Sequence, residues 1–318
     1  MNWEKPQVYA VKNKNENIVA NSRSGGIFTA ISDLILDENG TVYGSVLTKD
    51  FLASHIRVEN KEERDLMLGS KYIQSKIGDT YREVKRDLDD GKKVLFTGTS
   101  CQVAGLQKYL RRQYDNLVCI DILCHGVPSP KVWKKYLKWQ ENKNKSKVNR
   151  VSFRNKTEFG WRAHVESLWF ENGKVIHSQV YRNLFFTNTN LRPCCYECKY
   201  KSIIHPGDIT IGDYWKIEKA APEFDDNKGV SLVLINNEKG VKIFEKTKDS
   251  IVCKQTKIED SMQPALERAS VPLYNRKQFW DDFNNKDFDY IARKYAEYGC
   301  INNLKKKLKR LMHKIKRK

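Results

Sequence analysis

Eight cysteines, at positions 101, 119, 124, 194, 195, 198, 253 and 300, are the residues best suited to chemistry. Cys195-Tyr-Glu-Cys198 is a C-x2-C pair, a spacing that lets two sulfurs converge on one metal ion or one cluster corner. A zinc or [4Fe–4S] site takes four such ligands, so two must come from elsewhere. Cys194 adjoins Cys195, and neighbouring side chains diverge in extended backbone, so only one of them is expected to ligate. Cys101 follows an apolar strand-like run at 92–98, and Cys124 follows another at 116–123. If these runs are parallel neighbours, both cysteines leave at the C-terminal edge of a sheet, where ligands bind in open α/β folds. Cys101, Cys124, Cys195 and Cys198 could therefore meet as one four-cysteine site. Each has another reading: Cys101 as a reactive thiol or plain helix start, Cys124 as packing, and Cys195 with Cys198 as a structural zinc ribbon. Cys119 lies inside an apolar run and reads as core, while Cys253 and Cys300 have no motif partner.

Small residues precede two expected helices. Ser24-Gly25-Gly26 and Gly98-Thr99-Ser100 form turns through which backbone N–H groups can approach a phosphate; ordinary helix capping gives the same pattern. Neither is a full dinucleotide fingerprint or a P-loop. Gly69-Ser-Lys71-Tyr-Ile-Gln74-Ser75 packs polar groups closely, with Lys71 available to a phosphate or a flavin ring edge, or else is a solvated loop. In Asp208-Ile-Thr-Ile-Gly-Asp213-Tyr-Trp215 the carboxylates are five apart, on opposite faces of an unbroken strand, and do not read as an acid–base pair.

The elements that must position these residues follow from hydrophobic period. Residues 27–36 read as a helix ending near Gly40, 41–48 and 55–60 as strands, and 80–91 as an amphipathic helix closed by Gly91. Strand 92–98, helix 100–112 and strand 116–123 make a βαβ unit with buried parallel strands. Segments 148–155, 161–172 and 174–182 read as strands, with Asn172-Gly173 as a hairpin turn. Residues 141–147, ENKNKSK, read as a linker or long loop, and 229–246 as strand then helix. The fold class is α/β: a mixed sheet core with a βαβ unit, an antiparallel β excursion, a cysteine-bearing insertion and a basic C-terminal helix. Residues 1–300 are expected to form the working domain and 301–318 a basic tail.

The composition narrows the classes. Hydrophobic residues are 40% and aromatics 11%, which excludes a disordered chain. No run nears the roughly 18 apolar residues of a membrane span, and mean hydropathy is −0.68. With no apolar signal segment in the first residues, a reducing cytoplasm is the expected compartment, where clustered cysteines bind metal or do redox chemistry. The net charge is +19, yet 301–318 alone hold nine basic residues and no acid, leaving +10 for the other 300. In that tail Ile301, Leu304, Leu308, Leu311, Met312 and Ile315 make one helical stripe opposite Lys and Arg. This is the pattern of a helix on an anionic membrane surface, or of one docking its stripe on the body. No recognition-helix or zinc-finger motif supports a nucleic-acid partner.

SRSGGIFTA (22–30), GSKYIQS (69–75), VLFTGTSCQVAGL (94–106), DILCHGVPSPKVW (121–133), RPCCYECKY (192–200) and DITIGDYW (208–215) resemble the coenzyme F420 hydrogenase/dehydrogenase beta-subunit family. The resemblance runs from about residue 8 to about 245. It implies a flavoprotein oxidoreductase carrying FAD and a [4Fe–4S] cluster, passing electrons between iron–sulfur centres and a hydride acceptor or donor such as coenzyme F420. The family's cysteines match Cys101, Cys124, Cys195 and Cys198. Its flavin surroundings match Ser24, Gly25, Gly26, Lys71, Gln74, Ser75 and Thr99. The first 25 residues hold no cysteine, so the ferredoxin-like module of many members is expected to be missing, and electrons are expected from a donor protein such as a ferredoxin or by direct transfer. Ser100 stands where proline is usual, His205 where arginine is usual and Lys216 where glycine is common. Short members with the CHGVPSP segment resemble proteins that accompany surface-polysaccharide enzymes. That leaves a non-redox or zinc-stabilised component of such a complex as the alternative.

Overall fold

The computed structural model of the chain describes residues 5–299. The basic tail expected at 301–318, with its membrane contact, lies outside the described residues. Two compact units emerge within the expected 1–300 domain. The first comprises residues up to 125 with 154–163 and 197–269, and the second comprises 126–153, 164–196 and the residues from 270 on.

The first unit is built on nine strands: β1 (Gln7–Asn13), β2 (Thr41–Leu47), β3 (Ala53–Val58), β4 (Ser75–Lys76), β5 (Val94–Thr99), β6 (Leu117–Ile122), and three later ones. The second unit contributes β7 (Val148–Ser152), β8 (Glu166–Phe170) and β9 (Val175–Ser178); the first resumes with β10 (Ile209–Asp213), β11 (Ser231–Ile235) and β12 (Ile251–Thr256). The large sheet runs β12-β1-β11-β10-β6-β5-β2-β3-β4. Its centre, β10-β6-β5-β2, is parallel, and β11, β1 and β12 continue it antiparallel. Parallel strands must be covered on both faces, which is why β5 opens on fully buried Val94, Leu95 and Phe96. The helix Ser100–Leu110 returns between β5 and β6, burying Val103, Leu106 and Leu110 at helical spacing. The helix Thr80–Asp89 adds Val84 and Leu88 to the same cluster. The expected βαβ unit is therefore present.

The second unit is a β7-β8-β9 antiparallel sheet with the helices Pro130–Asn144, Val180–Phe186, Arg276–Asn285 and Phe288–Tyr295. Its core is aromatic: Trp133 lies 4.5 Å from Phe153 and 4.6 Å from Tyr181, centroid to centroid. The Asn172-Gly173 turn joins β8 to β9, with Gly173 at φ +81°.

Three local readings change. Residues 141–144 are the last turn of a helix, not linker, because Val132, Trp133, Tyr136, Leu137 and Gln140 bury one face of it. Residues 161–165 precede β8 rather than extending it. Val180–Tyr181–Arg182 open a helix, where the Tyr181 N–H donates to the buried Glu166 Oε1 at 2.9 Å. Among the described residues no helix is long and apolar enough to cross a membrane.

Candidate functional site

In β5 and β6, Thr99 stands opposite Ile122. Cys101 and Cys124 each follow two residues later, so both leave the sheet at its C-terminal edge, as the spacing predicts. Cys101 is exposed in the first turn of the helix Ser100–Leu110, with its Sγ 3.1 Å from Thr99 Oγ1. The loop carrying Cys198 passes the same edge. Its Lys201 ammonium donates to the carbonyls of Cys124 and of His125, the latter at 3.0 Å. The pKa of the Tyr200 hydroxyl is pushed up, first by burial and then by its neighbours Cys101 and Cys198.

Cys195 belongs to the second unit. It is buried in the short 3-10 turn Pro193–Cys195 while Cys194 is exposed, so the two side chains differ in burial, on a turn rather than on the extended backbone expected. The Val127 N–H donates to Cys195 Sγ at 3.4 Å, the kind of bond that tunes a ligating sulfur. Cys119 is core, and burial first, then Asp208, pushes its thiol well up. Four thiols are chemically suited to iron or zinc. Their geometry is not a closed cage: among the described residues no three Cys, His, Asp or Glu side chains converge on one point.

In the segments expected around a flavin many polar groups make internal bonds, whereas Ser22 Oγ and Arg23 Nε and Nη1 are buried without one among the described residues. Ser24 donates its hydroxyl to Asp213 Oδ1. Gly25 is required by packing, since a Cβ there would lie 2.1 Å from the Val11 carbonyl oxygen, and Gly26 holds φ +88° before the helix Ile27–Asp37. Lys71 donates to the carbonyls of Met67 at 2.7 Å, Leu68 at 2.9 Å and Gly69 at 3.2 Å. These use all three of its N–H groups, so contact with a flavin requires exchange of one of them. Burial pulls its pKa down to about 7. Gln74 is half-buried beside Ser75. The Gln102 side chain reaches back to the Thr99 N–H at 2.9 Å, so Thr99 serves as a helix cap.

Sequence reasoning missed His55. Its Nε2 lies 3.1 Å from the Thr97 carbonyl oxygen, which can only accept, so Nε2 carries the proton. Nδ1, 2.7 Å from Ser75 Oγ, then accepts from that hydroxyl, and Ser45 donates to Ser75 at 3.0 Å. Burial lowers the His55 pKa to about 4, so the ring is neutral. Asp213 was also read without its role. It accepts from Arg154 Nη1 at 2.6 Å and Trp161 Nε1 at 2.9 Å as well as from Ser24. The Arg23 guanidinium is pulled down by burial, with Asp213 and Tyr72 acting against it. That sets the 22–26 loop in electrostatic reach of the 69–75 segment. Asp208 instead accepts from the Cys119 N–H at 2.8 Å, so the two carboxylates are not a pair, as expected. Of these residues, His55, Arg154 and Trp161 lie in none of the motifs that the sequence offers.

The family model describing the C-terminal part of the coenzyme F420 hydrogenase/dehydrogenase beta subunit matches residues 91–261, which include all four candidate cysteines but neither the 24–26 nor the 69–75 segment. A chain from a xenon-derivatization structure of the F420-reducing [NiFe] hydrogenase complex from Methanosarcina barkeri shares the fold, with TM-score 0.56 and 18% identity over 80% of this chain and 84% of that one. No curated protein matches the chain. With more than half its length matched by that model, the chain belongs to the coenzyme F420 hydrogenase/dehydrogenase beta-subunit family, a family of oxidoreductase subunits.

Proposed function

We propose that the protein is an iron–sulfur flavoprotein oxidoreductase. Cys101, Cys124, Cys195 and Cys198 are the ligand set for a [4Fe–4S] cluster, and Ser24, Gly25, Gly26, Lys71, Gln74, Ser75 and Thr99 border an FAD. The observation that carries this reading is the delivery of Cys101 and Cys124 to one sheet edge, with the Cys198 loop tied to it through Lys201. Bound there, a cluster would supply one-electron chemistry and a flavin would supply hydride exchange. The chain's own residues orient and insulate. Thr99 and Gln102 fix the helix start bearing Cys101; Lys71 holds the carbonyls of 67–69; neutral His55 fixes the Ser75 hydroxyl and the Thr97 carbonyl. The electron donor we propose is a ferredoxin-like protein, and the acceptor a deazaflavin such as coenzyme F420 or another hydride acceptor. The tail 301–318 is proposed to contact the anionic inner face of the membrane, where polysaccharide-biosynthesis enzymes are candidate neighbours.

Anaerobic purification followed by absorbance, metal and flavin analysis tests the core of this reading. About four iron and four sulfide per chain with released FAD is the expected result. A colourless protein with stoichiometric zinc would overturn it in favour of a zinc-stabilised, non-redox component.

A further inference from the structure

His205 sits where three cysteine-bearing segments of the first unit meet. Its side chain is 1% exposed, and Nδ1 lies 3.1 Å from Asp121 Oδ1, itself fully buried, and 3.2 Å from Ser100 Oγ. Ser100 immediately precedes Cys101 in the helix start. Asp121 lies in β6, three residues before Cys124. His205 itself lies on the loop from Cys198. Each segment has a further tie to this corner. The Gly207 N–H donates to Asp121 Oδ2 at 3.0 Å, and a Cβ on Gly207 would lie 2.9 Å from the Asp121 nitrogen. Gln107, in the helix of Cys101, donates to the Pro206 carbonyl at 2.7 Å. The imidazole is thus a wedge between the helix start and the strand, held there by its own loop.

The hydrogen bond of Nδ1 is with Ser100 Oγ, and the Asp121 carboxylate stands 3.1 Å from the same nitrogen as a close polar neighbour, its Oδ1 making no hydrogen bond of its own. Ser100 supplies the hydroxyl that shares this nitrogen. Positions 100 and 205 are therefore in direct contact and form one unit. An arginine at 205 would bring its own fixed charge and several donors to Asp121 and would not need the hydroxyl.

We propose that His205 is a positioning residue: by bridging Ser100 to Asp121 it sets the spacing at which Cys101, Cys124 and Cys198 take up a metal. This rests on reading those cysteines as ligands. Groups that orient ligands from behind typically change metal affinity by about 10–100-fold when removed.

The test is Co(II) titration of the reduced, metal-free full chain, read from the sulfur-to-cobalt charge-transfer absorbance. His205→Ala is expected to weaken Co(II) binding about 10-fold. His205→Asn, whose amide nitrogen reaches the place of Nδ1, recovers most of that affinity, and His205→Gln, which reaches the place of Nε2, does not. Ser100→Ala weakens binding about threefold in the natural chain and has no effect in a His205→Arg background, a coupling that general loss of packing would not produce. If His205→Ala fails to fold, the Asn and Gln variants and the Ser100 cycle decide the matter. Unchanged affinity in His205→Ala, or an equal Ser100→Ala effect in both backgrounds, overturns the positioning role while leaving the cysteine ligand set intact. Absence of the charge-transfer band from the natural chain overturns both.

Discussion

Two regions of the first unit hold residues suited to chemistry, and they differ in what those residues already do. In the loops at 22–26 and 67–75, several polar groups are committed to the fold, while the buried Ser22 Oγ and Arg23 Nε and Nη1 make no hydrogen bond among the described residues. Ser24 serves Asp213, Lys71 serves three carbonyls and Ser75 serves His55. At the sheet edge, the fold does not require sulfur. Cys101 is exposed in the first turn of a helix already capped by Thr99, and serine would serve that turn as well. Residue types that folding explains are weak evidence of function; types it leaves unexplained are stronger. The cysteines therefore carry the functional reading, while the loops are explained in large part by the fold.

Breaking this contrast should have its largest effect at the edge. Cys101→Ser is expected to lower bound iron more than about 10-fold while moving the Tm of the metal-free chain by less than about 2 °C, because an exposed substitution away from packing costs little stability. Iron analysis beside a thermal melt reads both, and a large fall in Tm with iron retained would reverse the assignment of roles. The converse holds for Asp213→Ala. It leaves the Arg154 guanidinium, 3% exposed, without its carboxylate and should cost about 3–5 kcal/mol in urea unfolding. A loss under about 1 kcal/mol would show that this loop is not held as its bonds suggest.

The third prediction sharpens the contrast through pH. His55 has a folded pKa of about 4 against 6.5 when unfolded, so between these values the unfolded chain binds a proton that the folded chain does not. Stability contributed by the neutral ring is complete above about pH 6.5 and is lost as pH falls toward 4, by about 3 kcal/mol across the window. His55→Gln removes the titrating group, so urea midpoints measured at pH 7 and pH 4.5 should differ less in the variant than in the natural chain. Equal differences would mean that His55 does not titrate as a buried neutral ring.

Much of the frame was legible because its signals are short-range. The run 92–123 shows strand, helix and strand through apolar period alone, and β5, the helix Ser100–Leu110 and β6 follow it. Errors arose where tertiary burial outvoted composition. ENKNKSK looks like linker because it is charged, yet its first four residues complete a helix whose other face packs on aromatic side chains. The strand reading of 174–182 stops at Ser178 because Glu166, buried from another strand, accepts the N–H groups that start a helix. Strands β1 and β12, which pair with each other beyond β11 at one edge of the sheet, drew no reading, since their partners are distant in the chain.

By itself the sequence determined the C-x2-C pair, the two strand ends that deliver Cys101 and Cys124, the glycines before the first long helix and the concentration of charge in 301–318. All of these depend on spacing within a few residues, which local geometry translates directly. Only the tertiary structure decided that Asp213 anchors Ser24, 189 positions away, that His205 touches Ser100 across 105, and that His55 lies between Ser75 and Thr97. Such pairs leave no periodic trace. Strand order sets them, and the cost of burying a charge or a hydrogen-bonding group without a partner selects them once the chain is closed around it.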